Sequence, residues 1–226
     1  MQNWNETTMM STDALRKRMR ILAALDIIFS EEEWLRVHQF ENEFQPGVAW
    51  GSINNGAGDH LHVLFTNSGT LIKGFDHESP LSPHAREDGE IYPGMYDEVP
   101  ATLMAVLRDQ EEILDLEDVT FCLWQEGNDL SWKVGNWIQM AMAEEEKADA
   151  RGGAEFLLGY MNKNAEDYVD WAKGYYDMHD VPLEAVAEVY EGKTVTASLI
   201  KRLCPERDVA AALDELQHRG YAVNQT

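Results

Sequence analysis

His60-Leu61-His62-Val63-Leu64-Phe65-Thr66, then Asn67-Ser68-Gly69, then Thr70-Leu71-Ile72-Lys73-Gly74-Phe75 is the stretch on which the fold reading turns. Its two ends are rich in β-branched and aromatic residues, and the polar segment between them is short, so it reads as strand, tight turn, strand. Gly69 suits the positive φ that a short hairpin loop needs. A second hairpin is expected from Val119-Thr120-Phe121-Cys122-Leu123-Trp124, a turn at Gly127-Asn128-Asp129, and Ser131-Trp132-Lys133-Val134. Between the hairpins, Pro80, Pro83, Pro93, Gly94 and Pro100 enforce a long irregular excursion. A helix from about Ala101 to Leu107 follows it.

Helical patterns flank these strands. Thr12 to about Ile28 places Leu15, Met19, Leu22 and Leu25 at three- and four-residue steps. Ser30-Glu31-Glu32-Glu33 matches a capping box and predicts a helix with Trp34, Val37 and Phe40 along one stripe. Beyond Gly153 the pattern is helical throughout. Asn164 caps a helix whose Tyr168, Trp171 and Tyr175 share a face, and Pro182 and Gly192 bracket a second. Thr196–Leu203 is a third; a fourth runs from Pro205 to Arg219, stopped by Gly220. These last two helices and the following Tyr221-Ala222-Val223 have the outline of a helix-turn-helix with a strand.

The expected fold class is therefore α+β: an antiparallel sheet built from hairpins with packed helices, followed by a small all-helical C-terminal unit. Residues 1–20 read as an exposed leader, with Met1 or Met19 as the start. An α+β domain is expected over 21–143, a polar linker over 144–153 ending in Gly152-Gly153, and a helical domain over 154–226.

Charge narrows the function classes. The 226 residues hold 41 acidic against 18 basic side chains, a formal charge of −23, with 44% hydrophobic residues to build a core. Residues 30–150 hold 25 acidic and 6 basic residues, a net of −19. Such a field repels nucleic acid and anionic lipid and speeds encounter with a basic protein partner. The tail's Lys201, Arg202, Arg207 and Arg219 are mixed with acids, which favours helical packing over DNA reading. No apolar run is long enough for a membrane span. Cys122 and Cys204 are too few for a disulfide framework and fit a cytoplasmic protein.

No phosphate-binding, dinucleotide-binding, nucleophile-elbow or zinc-protease motif is present. The sharpest local polar signal is Asp59, His60 and His62 with Asp76, His77 and Glu78. In a strand His60 and His62 share a face. With a carboxylate from the far strand they offer three ligands for a metal-dependent hydrolase or a small-ligand enzyme. The other reading makes them structural or partner-contacting, with no metal, no cofactor and no catalytic residue. Trp50, Trp124 and Trp132 are candidates for a partner-binding patch, since hot spots favour Trp, or else for the core.

The strings Leu71-Ile72-Lys73-Gly74-Phe75-Asp76-His77-Glu78-Ser79, Tyr92-Pro93-Gly94-Met95-Tyr96-Asp97-Glu98-Val99-Pro100 and Thr120-Phe121-Cys122-Leu123-Trp124 resemble those of a group of bacterial cytosolic proteins. That group has no established activity, so the resemblance implies a bacterial cytosolic protein and carries over no catalytic residue. Small acidic bacterial proteins of this general look include immunity proteins of toxin systems. The leading expectation is a non-enzymatic, immunity-like protein-binding module with an acidic face.

Overall fold

The structure, a computed structural model, describes residues 9–127, 129, 131–143 and 151–224. Helix α1 (Thr12–Phe29) leads into a six-stranded antiparallel meander: β1 (His38–Gln45), β2 (Val48–Asn54), β3 (His60–Thr66), β4 (Gly69–Phe75), β5 (Phe121–Glu126) and β6 (Lys133–Val134), paired in that order. Helices α2 (Ala101–Asp109) and α3 (Glu111–Leu114) lie between β4 and β5, and α4 (Trp137–Ala143) follows β6. The chain then forms α5 (Ala154–Gly159), α6 (Ala165–Tyr175), α7 (Leu183–Tyr190), α8 (Ala197–Leu203) and α9 (Val209–His218). Two short strands, β7 (Val195–Thr196) and β8 (Val223–Asn224), pair in parallel. The class is α+β, as the alternating and helical segments of the sequence predict. Among the described residues no helix is long and apolar enough to cross a membrane.

Both expected hairpins form: β3 pairs β4 from His60↔Phe75 to Thr66↔Gly69, and β5 pairs β6 through Leu123↔Val134. Asn128, in the expected second turn, lies outside the described residues. Gly69 is required by more than the turn. Its φ is +151°, and a Cβ there would stand 2.2 Å from the Gln125 carbonyl oxygen of β5.

Ladder partners share a face, so Ser52, His62, Lys73 and Cys122 make one row. Gly51, Val63, Ile72 and Leu123 make the next, on the opposite face. Helix α1 covers the second face at close range, since a Cβ on Gly51 would sit 2.6 Å from Met19 Cε. The first face is covered by residues 76–118, where the Lys73 ammonium reaches the carbonyls of Leu114 and Asp115. The result is three layers: helix, sheet, and the proline-rich excursion with α2 and α3.

A second core gathers Leu22, Leu25 and Ile28 of α1 with Tyr168, Val186, Ile200 and Leu216 of the C-terminal helices. Leu15, Met19 and Ala23 of the same helix belong to the sheet core. The N-terminal helix thus completes the C-terminal unit, and no cut at residue 144 separates two independent cores. Each such fully buried Leu or Ile stabilises by about 1.5–3 kcal/mol.

Three local expectations differ from what is observed. Residues 12–20 are the first half of α1 and bury Leu15 and Met19, where an exposed leader was expected; residues 1–8 lie outside the described residues. The Ser30–Glu33 capping box opens only a 3-10 turn, Glu33–Leu35, and the chain then enters β1. Of the expected 144–153 linker, 144–150 lie outside the described residues, and Gly152 and Gly153 are buried. A Cβ on Gly152 would meet the Thr120 carbonyl oxygen at 2.0 Å, and one on Gly153 would meet Asp76 Oδ2 at 2.2 Å. The Gly-Gly pair is therefore a docking point against the sheet.

Candidate functional site

The polar residues singled out in the sequence fall into two groups on different sides of a strand end. His60 and His62 project from β3 onto the face covered by residues 76–118, with ring centroids 5.1 Å apart. His62 Nδ1 accepts a hydrogen bond from Trp50 Nε1 at 3.2 Å. His60 Nε2 is buried without a hydrogen-bond partner. Lys73, their fully buried neighbour on β4, donates to the Leu114 carbonyl at 2.7 Å and also to that of Asp115.

Burial, and then the charge of Lys73, push His60 down to about 4 and hold His62 well below the usual imidazole range. Burial likewise pushes Lys73 down to about 8 and the Cys122 thiol up to about 12. At neutral pH this face holds two neutral imidazoles, an unreactive thiol and a buried ammonium. An ammonium standing beside the imidazoles disfavours a cation there.

Asp59, Asp76 and His77 make the other group. One ligand atom from each lies within 4.8 Å of the others. They border an open cleft of about 290 Å³ shared with Glu78, Ser79 and Phe156. Asp59 Oδ1 accepts from the His77 backbone N–H at 3.0 Å and faces His77 Nδ1 at 2.7 Å, while Oδ2 accepts from Asn55 Nδ2 at 2.7 Å. Asp76 Oδ1 accepts from the Glu78 N–H at 3.0 Å. Burial raises Asp59, but the bonds from Asn55 and His77 outweigh it and hold the carboxyl below its usual range. The hydrogen bond to Asp59 raises His77, favouring the imidazolium. These contacts pin the Asn54–Asp59 loop to the start of the excursion. The six residues are not brought together as one centre.

Trp50, Trp124 and Trp132 are 7%, 2% and 7% exposed. Trp50 stacks on Phe44 and His62, and Trp132 Nε1 donates to the Met10 carbonyl at 3.0 Å. The rings considered for partner contact are core residues: Trp50 and Trp124 point from β2 and β5 into the layers, and Trp132 packs in just before β6. Among the described residues Trp34, Phe156 and Tyr175, 77%, 50% and 37% exposed, are the exposed large aromatics.

The sequence reading missed a buried relay-like group. His38 Nδ1 lies 3.0 Å from Asp26 Oδ2, and Tyr168 donates its hydroxyl to Asp26 Oδ1 at 3.1 Å. His38 Nε2 faces the Tyr160 carbonyl at 2.9 Å, so both ring nitrogens face acceptors. Asp26 and Tyr168 are 0% exposed and His38 is 1%. With no free nitrogen and no route to solvent, this is a rivet joining α1, β1 and α6.

What faces solvent on the excursion is acid. Residues 76–118 contain 13 carboxylates against two cationic side chains, Arg86 and Arg108, a net of −11. Eleven of the 13 are exposed: all but Asp76 and Asp118. Arg86 is spent on Asp88 at 2.7 Å. Ile113, 51% exposed, stands between Glu112 and the buried Leu114 at the end of this run. The opposite face of the sheet carries α1 with Arg16, Lys17, Arg18 and Arg20, so charge is segregated across the three layers. Comparison of this chain with protein-family models, curated proteins and solved structures finds no match.

Proposed function

We propose that this chain is a non-catalytic, immunity-like protein-binding module of the cytoplasm that presents residues 76–118 to a basic protein partner. The observation carrying this reading is the collection of eleven exposed carboxylates on the layer over one sheet face. A field of that kind raises the association rate and selects for positive partners. Exposed Ile113 offers an apolar anchor inside the charged rim, the arrangement hot spots favour. Of the imidazoles in the layers, His38 faces acceptors at both ring nitrogens, His62 is neutral and buried beneath the excursion, and His60 is neutral and half-buried beside it.

The test compares two charge-matched variants for binding a lysine-rich probe peptide and any partner captured with it. One carries Glu111→Gln, Glu112→Gln, Asp115→Asn and Glu117→Gln; the other carries Glu166→Gln, Asp170→Asn, Glu184→Gln and Glu206→Gln on the helical unit. The excursion variant is expected to lose about tenfold or more in affinity and the helical-unit variant to stay near wild type, with binding weakening as salt rises. Equal losses in both variants, or affinity indifferent to salt, would contradict the reading.

A further inference from the structure

A separate cavity of about 200 Å³ opens where α1, the end of α7 and the β7–β8 ribbon meet. Its walls are apolar: Ile21 and Ala24 from one stripe of α1, Val189 from α7 and Val195 from β7. Gly192, at φ +80°, turns the chain out of α7 so that Val195 can pair with β8. Lys17 stands at the mouth, one helical turn before Ile21, and its Cε lies 3.9 Å from where a Cβ on Gly192 would be.

The three cations around this cavity are not equivalent. Arg20 is committed to structure, donating to the Asn42 side chain and to the Gly220 carbonyl at 3.1 Å and stacking 4.9 Å above Tyr221. Lys193 lies 3.1 Å from a Glu191 carboxylate oxygen. Among the described residues nothing pairs with the Lys17 ammonium. A positive charge with no partner among the described residues therefore sits over an apolar hollow, in a chain whose formal charge is −23.

We propose that this cavity binds a small monocarboxylate, its apolar body between Ile21, Ala24, Val189 and Val195 and its carboxylate on Lys17. One cation without a partner among the described residues matches a monoanion better than a dianionic phosphate, because a second negative charge would find no such cation. At roughly 30 Å³ per water-sized group the space takes about seven such groups, the scale of hexanoate or benzoate. This site is independent of the acidic layer.

The probe is benzoate, titrated into the full chain at low salt while backbone amide resonances are followed. Saturable shifts are expected at Ile21, Ala24, Val189 and Val195. Lys17→Gln is expected to weaken binding by about tenfold, as loss of a charge-assisted hydrogen bond requires, with the thermal midpoint unchanged because Lys17 is exposed. Neutral benzamide, tested on the unaltered protein, is expected to bind at least about tenfold more weakly than benzoate. Lys173→Gln, on exposed α6 surface, serves as the charge control and is expected to bind as wild type. No saturable shift at these four residues up to about 10 mM, beyond the range of even weak millimolar binding, would overturn the proposal. So would equal affinity for benzamide, or binding indifferent to Lys17.

Discussion

Replacing Lys73 by Met removes a charge that folding has placed in a dry layer, and its signature is a dependence of stability on alkaline pH. Met is unbranched and flexible enough to follow the path of the lysine stem. In the folded protein burial pushes Lys73 down to about 8, against 10.5 for a solvated lysine. Between those values the unfolded chain holds a proton that the folded chain has released, so stability rises with pH. At 1.36 kcal/mol per pH unit the gain is about 2 kcal/mol by about pH 9.5 and about 3 kcal/mol by about pH 10.5. The buried tyrosines oppose this trend in the wild type, because burial raises Tyr168 and Tyr176 above the usual phenol range. They are common to both proteins and cancel in the difference. Urea unfolding of wild type and Lys73→Met at a series of pH values measures that difference directly. Its rise across the window is the expected result; parallel curves would show that Lys73 is solvated or never changes charge, and would refute the placement of the excursion over the sheet.

Three further perturbations test other parts of the structure. With His60 pushed down to about 4 from 6.5, its contribution is fully present above pH 6.5 and lost as pH falls toward 4, by up to about 3 kcal/mol. His60→Gln should flatten that acid limb in urea titrations, and an unchanged limb would contradict its burial. Asp26→Asn takes from His38 and Tyr168 the buried acceptor they share, and Asp26→Asn and Tyr168→Phe should each cost about 1–3 kcal/mol. Unfolding midpoints matching those of surface substitutions would contradict the rivet. Gly152→Ala and Gly153→Ala should each destabilise by more than Gly56→Ala. All three take positive φ, but only the first two place a Cβ within 2.2 Å of other atoms. A flexible linker there would make all three alike.

The hairpins were legible because a two-residue alternation with a short polar turn has few other interpretations, and the helical caps were legible for a similar reason. Asn164 does accept the Asp167 N–H at 2.8 Å, and Gly220 takes φ +78° after α9. Segment 34–40 misled because Trp34, Val37 and Phe40 fit a three-residue step, while His38 and Phe40 also fit the two-residue step that wins once β2 is present to pair with them. Strand β2 itself was hidden by Gly51, whose missing side chain weakens a strand pattern. The reason for that glycine, the passage of Met19, lies in a helix thirty residues earlier. The site was less legible still. Lys73 sits in an apolar strand and was the one available sign that a charge is buried. The pairing of Asp26 with His38 joins two elements whose contact no local pattern encodes. Asp59 and His77 lie in the loops just outside β3 and β4 and turn to each other, while His60 and His62 project from β3 under the excursion, so neighbours in sequence were parted.

Amide hydrogen exchange of the protein with and without the lysine-rich probe peptide tests the central claim most directly. Protection concentrated in residues 76–118, strongest around Glu111–Glu117 and relieved by salt, is the result the acidic layer requires. Protection confined to α1 and the C-terminal helices, with the excursion exchanging as in the free protein, would contradict it.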